Sequence, residues 1–273
     1  MKPRYLPASP HNDHLDKLSA YFGPIEPRAA SLPADTEYVF MCFTNRCGSN
    51  YLAGLLASNG RYNSANENLN ADTVLYHSKL QGIDSFQDYF AWLAGAQRRA
   101  GHVFLKAAAP QIELLGRAGI LAQIAGHSKF VLVERSDKLG QAISHLLAFA
   151  TGRFSSRIQD GTDPAQVKFS RRHIDYVIDE ICEYYRQFNL FFARNGIVPV
   201  QVNYENLVAD PKGQIALIGQ QLGLMGLSIV PGNLRLERQA GPVNELWRRV
   251  YLEGVEDGRE STSFCEQKEA KKL

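Results

Sequence analysis

The chain has 273 residues, 45% of them apolar and 21% charged, which is enough to bury a sizeable core. Thirty basic and twenty-eight acidic side chains give a formal net charge of +2, and this near balance argues against nucleic-acid binding, which needs a dense positive field. The four cysteines form no CxxC pair, and no segment resembles a secretion signal or a transmembrane helix. We therefore expect a cytoplasmic protein without a disulfide framework.

Short apolar runs alternate with helical segments along the chain. Four runs have the length and composition of buried strands: 38–43, 102–106, 129–134 and 198–202. Four segments are predicted as helices: one that contains Tyr51–Leu56, 107–118, a stretch that ends near Thr151, and the amphipathic segment 174–195. This alternation predicts an α/β fold in which helices flank a central, mostly parallel sheet, with ligands at the carboxyl ends of its strands.

The composition divides the chain into three parts: an N-terminal arm over 1–36, a main domain over 37–255 and a C-terminal tail over 256–273. The arm is rich in Pro, Asp and Ala and contains at most one short helix. Two polar segments, 59–72 and 153–170, are predicted as surface loops. Long loops beside a nucleotide site usually shape the pocket for the second substrate.

The loop after the first predicted strand has the features of an anion site. It comprises Thr44, Asn45, Arg46, Cys47, Gly48, Ser49 and Asn50. A glycine and small polar residues before a helix let backbone N–H groups converge, and the helix N-terminus adds a partial positive charge that attracts phosphate or sulfate. The loop lacks the GxxxxGK[ST] spacing of ATP and GTP sites. The alternative is structural: Gly48 only makes the turn, and Ser49 caps the helix.

A second candidate anion site follows the predicted strand 129–134. Arg135 leaves the end of that strand, and Ser144 lies about two turns into the next helix, so both side chains could face the same crevice. The arginine would supply a bidentate cation and the serine a hydroxyl donor. The alternative is an exposed arginine and a serine on the helix surface.

Three blocks of residues, in this order, resemble the bacterial carbohydrate sulfotransferases typified by mycobacterial trehalose 2-sulfotransferase, which use 3′-phosphoadenosine 5′-phosphosulfate (PAPS). The blocks are Asn45–Leu52, the pattern Arg135-x-Asp137-x-x-x-Gln141-Ala142-x-Ser144, and Leu236–Ala240 followed by Trp247 and Arg249. The resemblance covers most of the chain. It implies a P-loop-like three-layer fold and direct in-line transfer of a sulfuryl group from PAPS to an acceptor hydroxyl, without a metal.

The resemblance also assigns residues to the donor. The loop from Thr44 to Asn50 is expected to bind the 5′-phosphosulfate, and Arg135 and Ser144 the 3′-phosphate. Arg238 is expected to close over the cofactor. Tyr204 is a candidate for contact with the adenosine, and the alternative is a tyrosine packed at the rim of the loop.

Catalysis is assigned to Glu67, Arg46 and Lys106. By the resemblance, Glu67 is the general base that accepts the proton of the acceptor hydroxyl, and its alternative is a solvated loop glutamate. Arg46 is expected to stabilise the charge that builds on the sulfuryl oxygens and the leaving phosphate. Lys106 is expected to contact the sulfuryl group or the acceptor. The alternative is a solvated lysine at the end of a strand. Cys47 replaces a serine of the family, and we interpret it as a substitute for serine rather than as a nucleophile.

These observations predict a PAPS-dependent sulfotransferase that acts on a carbohydrate or glycolipid, and the family suggests a homodimer. Two other functions stay open. A P-loop-like small-molecule kinase would bind ATP with magnesium, and a non-catalytic nucleotide-binding module would keep the anion sites without turnover. The sequence does not indicate which sugar, or which hydroxyl, accepts the sulfuryl group.

Overall fold

Four strands form one sheet in the computed structural model, which describes residues 5–8, 12–154, 162–224, 226–230, 232 and 241–254. The strands are β1 (Glu37–Cys42), β2 (His102–Ala107), β3 (Ser128–Glu134) and β4 (Val200–Asn203). All pairs are parallel, in the order β2-β1-β3-β4. The predicted parallel sheet is confirmed. The fourth strand begins at Val200 rather than Val198, and Pro199 between them lacks the N–H that a ladder needs.

Helices connect and cover the strands. They are α1 (Asp13–Phe22), α2 (Ser49–Ala57), α3 (Ala71–Gln81), α4 (Phe86–Gln97), α5 (Ala109–Arg117), α6 (Ile120–Ile124), α7 (Lys138–Thr151), α8 (Arg171–Asn195), α9 (Tyr204–Ala209), α10 (Pro211–Leu222) and α11 (Pro242–Leu252). Residues 171–173 extend the long predicted helix by one turn at its start. No helix in the described part of the chain is both long and apolar enough to cross a bilayer.

The chain forms two compact units. The first contains residues 1–136 and 184–235, and therefore holds the sheet. One face of the sheet packs Val39, Met41 and Val131 against α2 and α10. On the other face Tyr38 stacks on Phe90 of α4, with ring centroids 5.9 Å apart, and Phe130 packs edge-on against α8. Apolar residues thus alternate between two covered faces, and the predicted three-layer α/β fold is confirmed.

The second unit contains residues 137–183 and 236–273. Within it, α7 packs against α11. The Asp137 carboxylate accepts a hydrogen bond from the Gly140 N–H and caps α7, and it also lies 2.7 Å from Nη1 of Arg248. Trp247 of α11 is buried and packs edge-on against Phe169.

The N-terminal segment is attached to the first unit through α1. This helix packs against α3 and α5, and its Leu18 is fully buried. Asn12 caps α1, and its Nδ2 donates to the Pro110 carbonyl at 2.9 Å. The division into an arm, a main domain and a tail stays a prediction. The tail over 256–273 lies outside the described residues.

The loop between α2 and α3 is bound to the free edge of β2. Nδ2 of Asn63 donates to the carbonyl oxygen of Phe104 at 2.8 Å, and Oδ1 of Asn63 accepts from the Phe104 N–H at 2.9 Å. Tyr62, Ala65 and Leu69 of the same loop are buried. The prediction of a surface loop over 59–72 is therefore wrong for these positions, because apolar residues between the asparagines fold back onto the sheet.

Candidate active site

The anion loop, residues 44–50, follows β1 and includes the first two residues of α2. Gly48 is the N-cap of α2, and Ser49 is its first residue, so Ser49 does not cap the helix. Gly48 has φ of +95°, and a Cβ built on it would lie 2.2 Å from Cδ2 of Tyr204. Both the backbone conformation and the close approach of the Tyr204 ring require glycine here. The first N–H groups of α2 lack partners within the helix by geometry, which favours an anion at this end.

Arg46 has an unusual backbone conformation and a buried guanidinium within this loop. Its φ is +63°, in the left-handed region that residues with a Cβ seldom adopt. Burial lowers the pKa of its guanidinium, and the positive charge of Arg135 lowers it further. Two cations therefore lie close enough to repel each other. Such an arrangement is typical of a site whose ligand is an anion.

Cys47 packs inward. Its side chain is fully buried in the apolar cluster between the sheet and α2, and its N–H donates to the Thr44 carbonyl at 3.3 Å. Burial raises the pKa of the thiol, which disfavours the reactive thiolate. The structure therefore gives Cys47 a packing role in the loop and does not bring its sulfur to the loop surface.

A buried tyrosine of α8, Tyr185, is hydrogen-bonded to the first residue of the anion loop. Oγ1 of Thr44 lies 3.1 Å from Oη of Tyr185 on α8, and that hydroxyl donates in turn to the Val133 carbonyl at 3.1 Å. Burial raises the pKa of Tyr185, so the hydroxyl keeps its proton. This contact connects the ends of β1 and β3. Sequence analysis missed Tyr185, because nothing in the amphipathic pattern of α8 distinguishes it from other core residues.

The ends of β3 and β4 contribute the second cation. The Arg135 guanidinium carbon lies 5.4 Å from the centre of the Tyr204 ring, within range of a cation–π contact. The Tyr204 ring also lies against Gly48, so it adjoins both the anion loop and Arg135. Nε of Arg135 is 4.0 Å from Oε1 of Glu205, and Oε2 of Glu205 accepts from the Ser136 N–H at 3.0 Å. Glu205 was also missed, because no motif includes it.

A third group surrounds Glu67. Nζ of Lys106 lies 2.7 Å from Oε1 of Glu67 and 2.7 Å from Oδ1 of Asn50, and it sits 4.3 Å from the centre of the Phe43 ring. Lys106 is 1% exposed and the Glu67 side chain 44% exposed. The alternative of a solvated lysine at a strand end is therefore wrong. Glu67 faces solvent with one oxygen fixed, so it can still meet a second substrate.

The asparagines around Glu67 hold the loop rather than leave it open. Oδ1 of Asn70 accepts from the Asp72 N–H and caps α3, and Asn59 donates to the Gly226 carbonyl at 3.2 Å. The Tyr89 hydroxyl donates to the Asn68 carbonyl at 2.6 Å. Glu67 thus projects from a loop fixed on both sides, and such fixation favours a defined position for its carboxylate.

The remaining predicted residues are only partly described. Ser144 is half-buried on α7, two turns from its start as predicted, and it belongs to the second unit. Asn45 and Asn50 are exposed in the anion loop. Arg238, with the block 236–240, lies outside the described residues. Among the described residues, no three His, Cys, Asp or Glu side chains cluster in a way that could hold a metal ion.

The sequence of this chain matches the model of a known protein family. The model of the family described as Stf0 sulphotransferase matches residues 103–254, more than half of the chain. The chain belongs to the Stf0 sulphotransferase family. The expected resemblance is thereby confirmed, and with it the membership in a family of sulfuryl transferases. The match includes Lys106, Arg135 and Tyr204, and it begins after the anion loop and Glu67.

No curated protein matches the chain. Among solved structures, it is similar to the sulfotransferase domain from the Synechococcus PCC 7002 olefin synthase, with 15% identity and a TM-score of 0.41. That alignment covers 90% of this chain and 98% of the other.

Proposed function

We propose that this Stf0 family member transfers a sulfuryl group from PAPS to a hydroxyl of a carbohydrate or glycolipid, by direct in-line transfer. The observation that supports the donor is a pair of guanidiniums, Arg46 and Arg135, close enough to repel each other. Arg135 lies over the Tyr204 ring, and that ring approaches Gly48 at the N-terminus of α2. PAPS carries anionic groups at both its 5′ and 3′ positions, so a donor set with two cations and an aromatic ring fits it. A cytoplasmic homodimer remains part of this proposal.

The donor groups would be divided between two regions. Arg46 and the N–H groups of Gly48, Ser49 and Asn50 would hold the 5′-phosphosulfate, as would Thr44 and Asn45 at the start of the loop. Arg135 would hold the 3′-phosphate, and Tyr204 would contact the adenosine. Ser144 and Arg238 are assigned to the 3′-phosphate and to closure over the cofactor by the resemblance alone.

Catalysis would depend on position and charge rather than on covalent chemistry by the protein. Bound PAPS would supply an activated sulfuryl group on a phosphate leaving group. Glu67 would accept the proton that the acceptor hydroxyl loses, since a carboxylate within hydrogen-bond reach can serve as general base. Lys106 would hold Glu67 through Oε1. Because a carboxylate accepts at two oxygens, this contact is compatible with a hydrogen bond from an acceptor. Arg46 would stabilise developing negative charge.

Calorimetric titration of the full chain with 3′,5′-adenosine bisphosphate, 5′-AMP and magnesium-ATP tests the donor. We expect micromolar binding that needs the 3′-phosphate and is lost in Arg135→Ala, because a bidentate contact to phosphate disappears. Transfer of labelled sulfate from PAPS to a panel of free sugars and glycolipids, including trehalose, then tests the acceptor class. Preference for magnesium-ATP would contradict the proposal and favour a kinase. Bisphosphate binding without transfer to any acceptor would favour a nucleotide-binding module.

A further inference from the structure

The carboxylate of Glu205 stands beside the cation assigned to the 3′-phosphate, where an acidic group is not expected. By Coulomb repulsion, a carboxylate weakens the binding of any anion near it. Glu205 therefore has a role other than attracting the anionic sulfuryl donor. The contacts around it indicate that role.

The first contacts concern the backbone after β3. Glu134 and Asn203 are paired in the β3–β4 register, so the segments that follow the two strands leave the sheet side by side. Nδ2 of Asn203 donates to Oγ of Ser136 at 2.7 Å, and Oε2 of Glu205 accepts from the Ser136 N–H at 3.0 Å. The residue directly after Arg135 is thus bound by two side chains from the β4 end. The backbone that carries Arg135 is fixed by these bonds.

The next contact concerns the side chain of Arg135. Oε1 of Glu205 lies 4.0 Å from Nε, which carries one of the five N–H donors of the guanidinium. The guanidinium carbon lies over the Tyr204 ring. The Arg135 side chain is only 17% exposed. Arg46 lies close enough for its positive charge and that of Arg135 to repel each other. The negative charge of Glu205 on the Nε side of the guanidinium opposes that repulsion.

We propose that Glu205 is a positioning residue that fixes Arg135 and thereby sets the preference for a nucleotide with phosphates at both 3′ and 5′ positions over a nucleotide with a 5′-phosphate alone. This inference rests on the proposed function, since it takes Arg135 as the ligand of the 3′-phosphate. Bidentate recognition of phosphate depends on the orientation of the planar guanidinium. Loss of Glu205 is therefore expected to reduce discrimination more than it changes affinity for single phosphates.

Titration of the full chain and two variants with 3′,5′-adenosine bisphosphate and with 5′-AMP tests the inference. Glu205→Gln keeps an acceptor for the Ser136 N–H and removes the charge, and Glu205→Ala removes both. Preference for the bisphosphate is measured by the dissociation constant for 5′-AMP divided by that for 3′,5′-adenosine bisphosphate. We expect this ratio to fall about tenfold in Glu205→Gln and further in Glu205→Ala. Glu37→Gln is the matched control, because Glu37 begins β1 at the amino end of the strands, whereas Arg135 and Glu205 follow the carboxyl ends of β3 and β4. Its ratio should equal that of the wild type.

The outcomes separate the inference from the proposed function. If the wild-type chain does not prefer the bisphosphate, the proposed function fails and the inference fails with it. If the wild type discriminates and both Glu205 variants keep its ratio, the inference alone is overturned. A parallel gain in affinity for both nucleotides would show that Glu205 acts only as a repelling charge, and it would overturn positioning as well. Thermal unfolding of each variant verifies that it is folded, since a purely structural role changes stability and leaves the ratio intact.

Discussion

Nζ of Lys106 lies 2.7 Å from Oε1 of Glu67, and this pair joins a fully buried lysine on a strand to a half-exposed glutamate on a loop. The lysine cannot move to water without leaving its contact with the Phe43 ring. The position of the Glu67 carboxylate is therefore set by the sheet itself.

Replacement of the proposed base removes catalysis and leaves donor binding intact. Glu67→Gln is expected to lower kcat by about 10²-fold or more, which is the usual contribution of a general base. The measurement is transfer of labelled sulfate to the best acceptor of the sugar and glycolipid panel, together with calorimetry of the bisphosphate. Asp72→Asn is the matched control, because its carboxylate is nearby and exposed and pairs with an exposed lysine. Unchanged kcat in Glu67→Gln contradicts the assignment of the base.

Loss of the lysine should act through Glu67. Lys106→Met keeps the apolar stem and removes the charge that holds Oε1, so kcat is expected to fall by roughly tenfold or more as the carboxylate loses its position. Lys129→Met is the control, since Lys129 also pairs with a strand glutamate, Glu37, at 2.8 Å but near the amino end of the sheet. Both variants should be assayed for unfolding and for transfer. Equal activity in the two variants would show that Lys106 has no specific role.

The anion loop depends on glycine at position 48. Gly48→Ala is expected to abolish binding of the bisphosphate, because the new Cβ would overlap the Tyr204 ring as well as strain the backbone. Gly60→Ala separates the two causes, since Gly60 also has positive φ but nothing lies within 4 Å of a Cβ there. Backbone strain alone costs about 1–2 kcal/mol. Calorimetry and urea unfolding of both variants should show a larger loss of stability for Gly48→Ala and loss of binding only there.

Two buried tyrosines should respond in opposite directions to removal of the hydroxyl. Tyr185→Phe takes the partner of Thr44 away, and it should lower stability by about 1 kcal/mol and weaken donor binding. The Tyr38 hydroxyl is buried without a hydrogen-bond partner among the described residues, and burial raises its pKa to about 12. Tyr38→Phe should therefore preserve or raise the free energy of unfolding. A larger loss in Tyr38→Phe than in Tyr185→Phe would contradict this account of the loop.

Acid should destabilise the protein through His14. Burial lowers the pKa of this imidazole below its usual 6.5, and its Nδ1 accepts from the Ala71 N–H at 3.1 Å at the start of α3. The nearby charges are, in order of effect, Asp13, Lys17, Asp72 and Glu67. Between the lowered folded-state pKa and 6.5 the unfolded chain binds more protons, so stability falls as the pH falls through this window.

Urea unfolding at several pH values between 7.5 and 5.5 measures this effect. His14→Asn keeps an acceptor but does not titrate, so its stability should change less on acidification than that of the wild type. His127, which is exposed, provides His127→Asn as the control that retains the wild-type slope. Identical slopes for all three proteins would exclude His14 as the source.

The sheet and the anion loop could be predicted from the sequence, because both are local. A run such as 38–43 is apolar at every position, and its length and the polar loop after it leave few alternatives to a buried strand. The family blocks are local patterns as well. The family resemblance assigns Glu67 and Lys106 separately, and the structure brings the two side chains together.

The supporting contacts could not be predicted, because they join distant parts of the chain. Thr44 and Tyr185 are 141 residues apart, and Ser136 and Glu205 are 69 apart. Neither tyrosine nor glutamate differs from ordinary helix residues in its own sequence context. The burial of the loop around Glu67 was missed for a related reason: its asparagines indicate turns, whereas the tertiary packing of Tyr62 and Leu69 decides where the loop lies.

The bonds between Asn63 and Phe104 have a consequence beyond the site. β2 is the last strand on its side of the sheet, and an open strand edge can pair with the edge of another molecule and start aggregation. The carboxamide of Asn63 presents a donor and an acceptor, as the backbone of a neighbouring strand would, and occupies that edge at its middle. The loop that carries Glu67 therefore also protects this edge of the sheet from strand pairing between separate molecules.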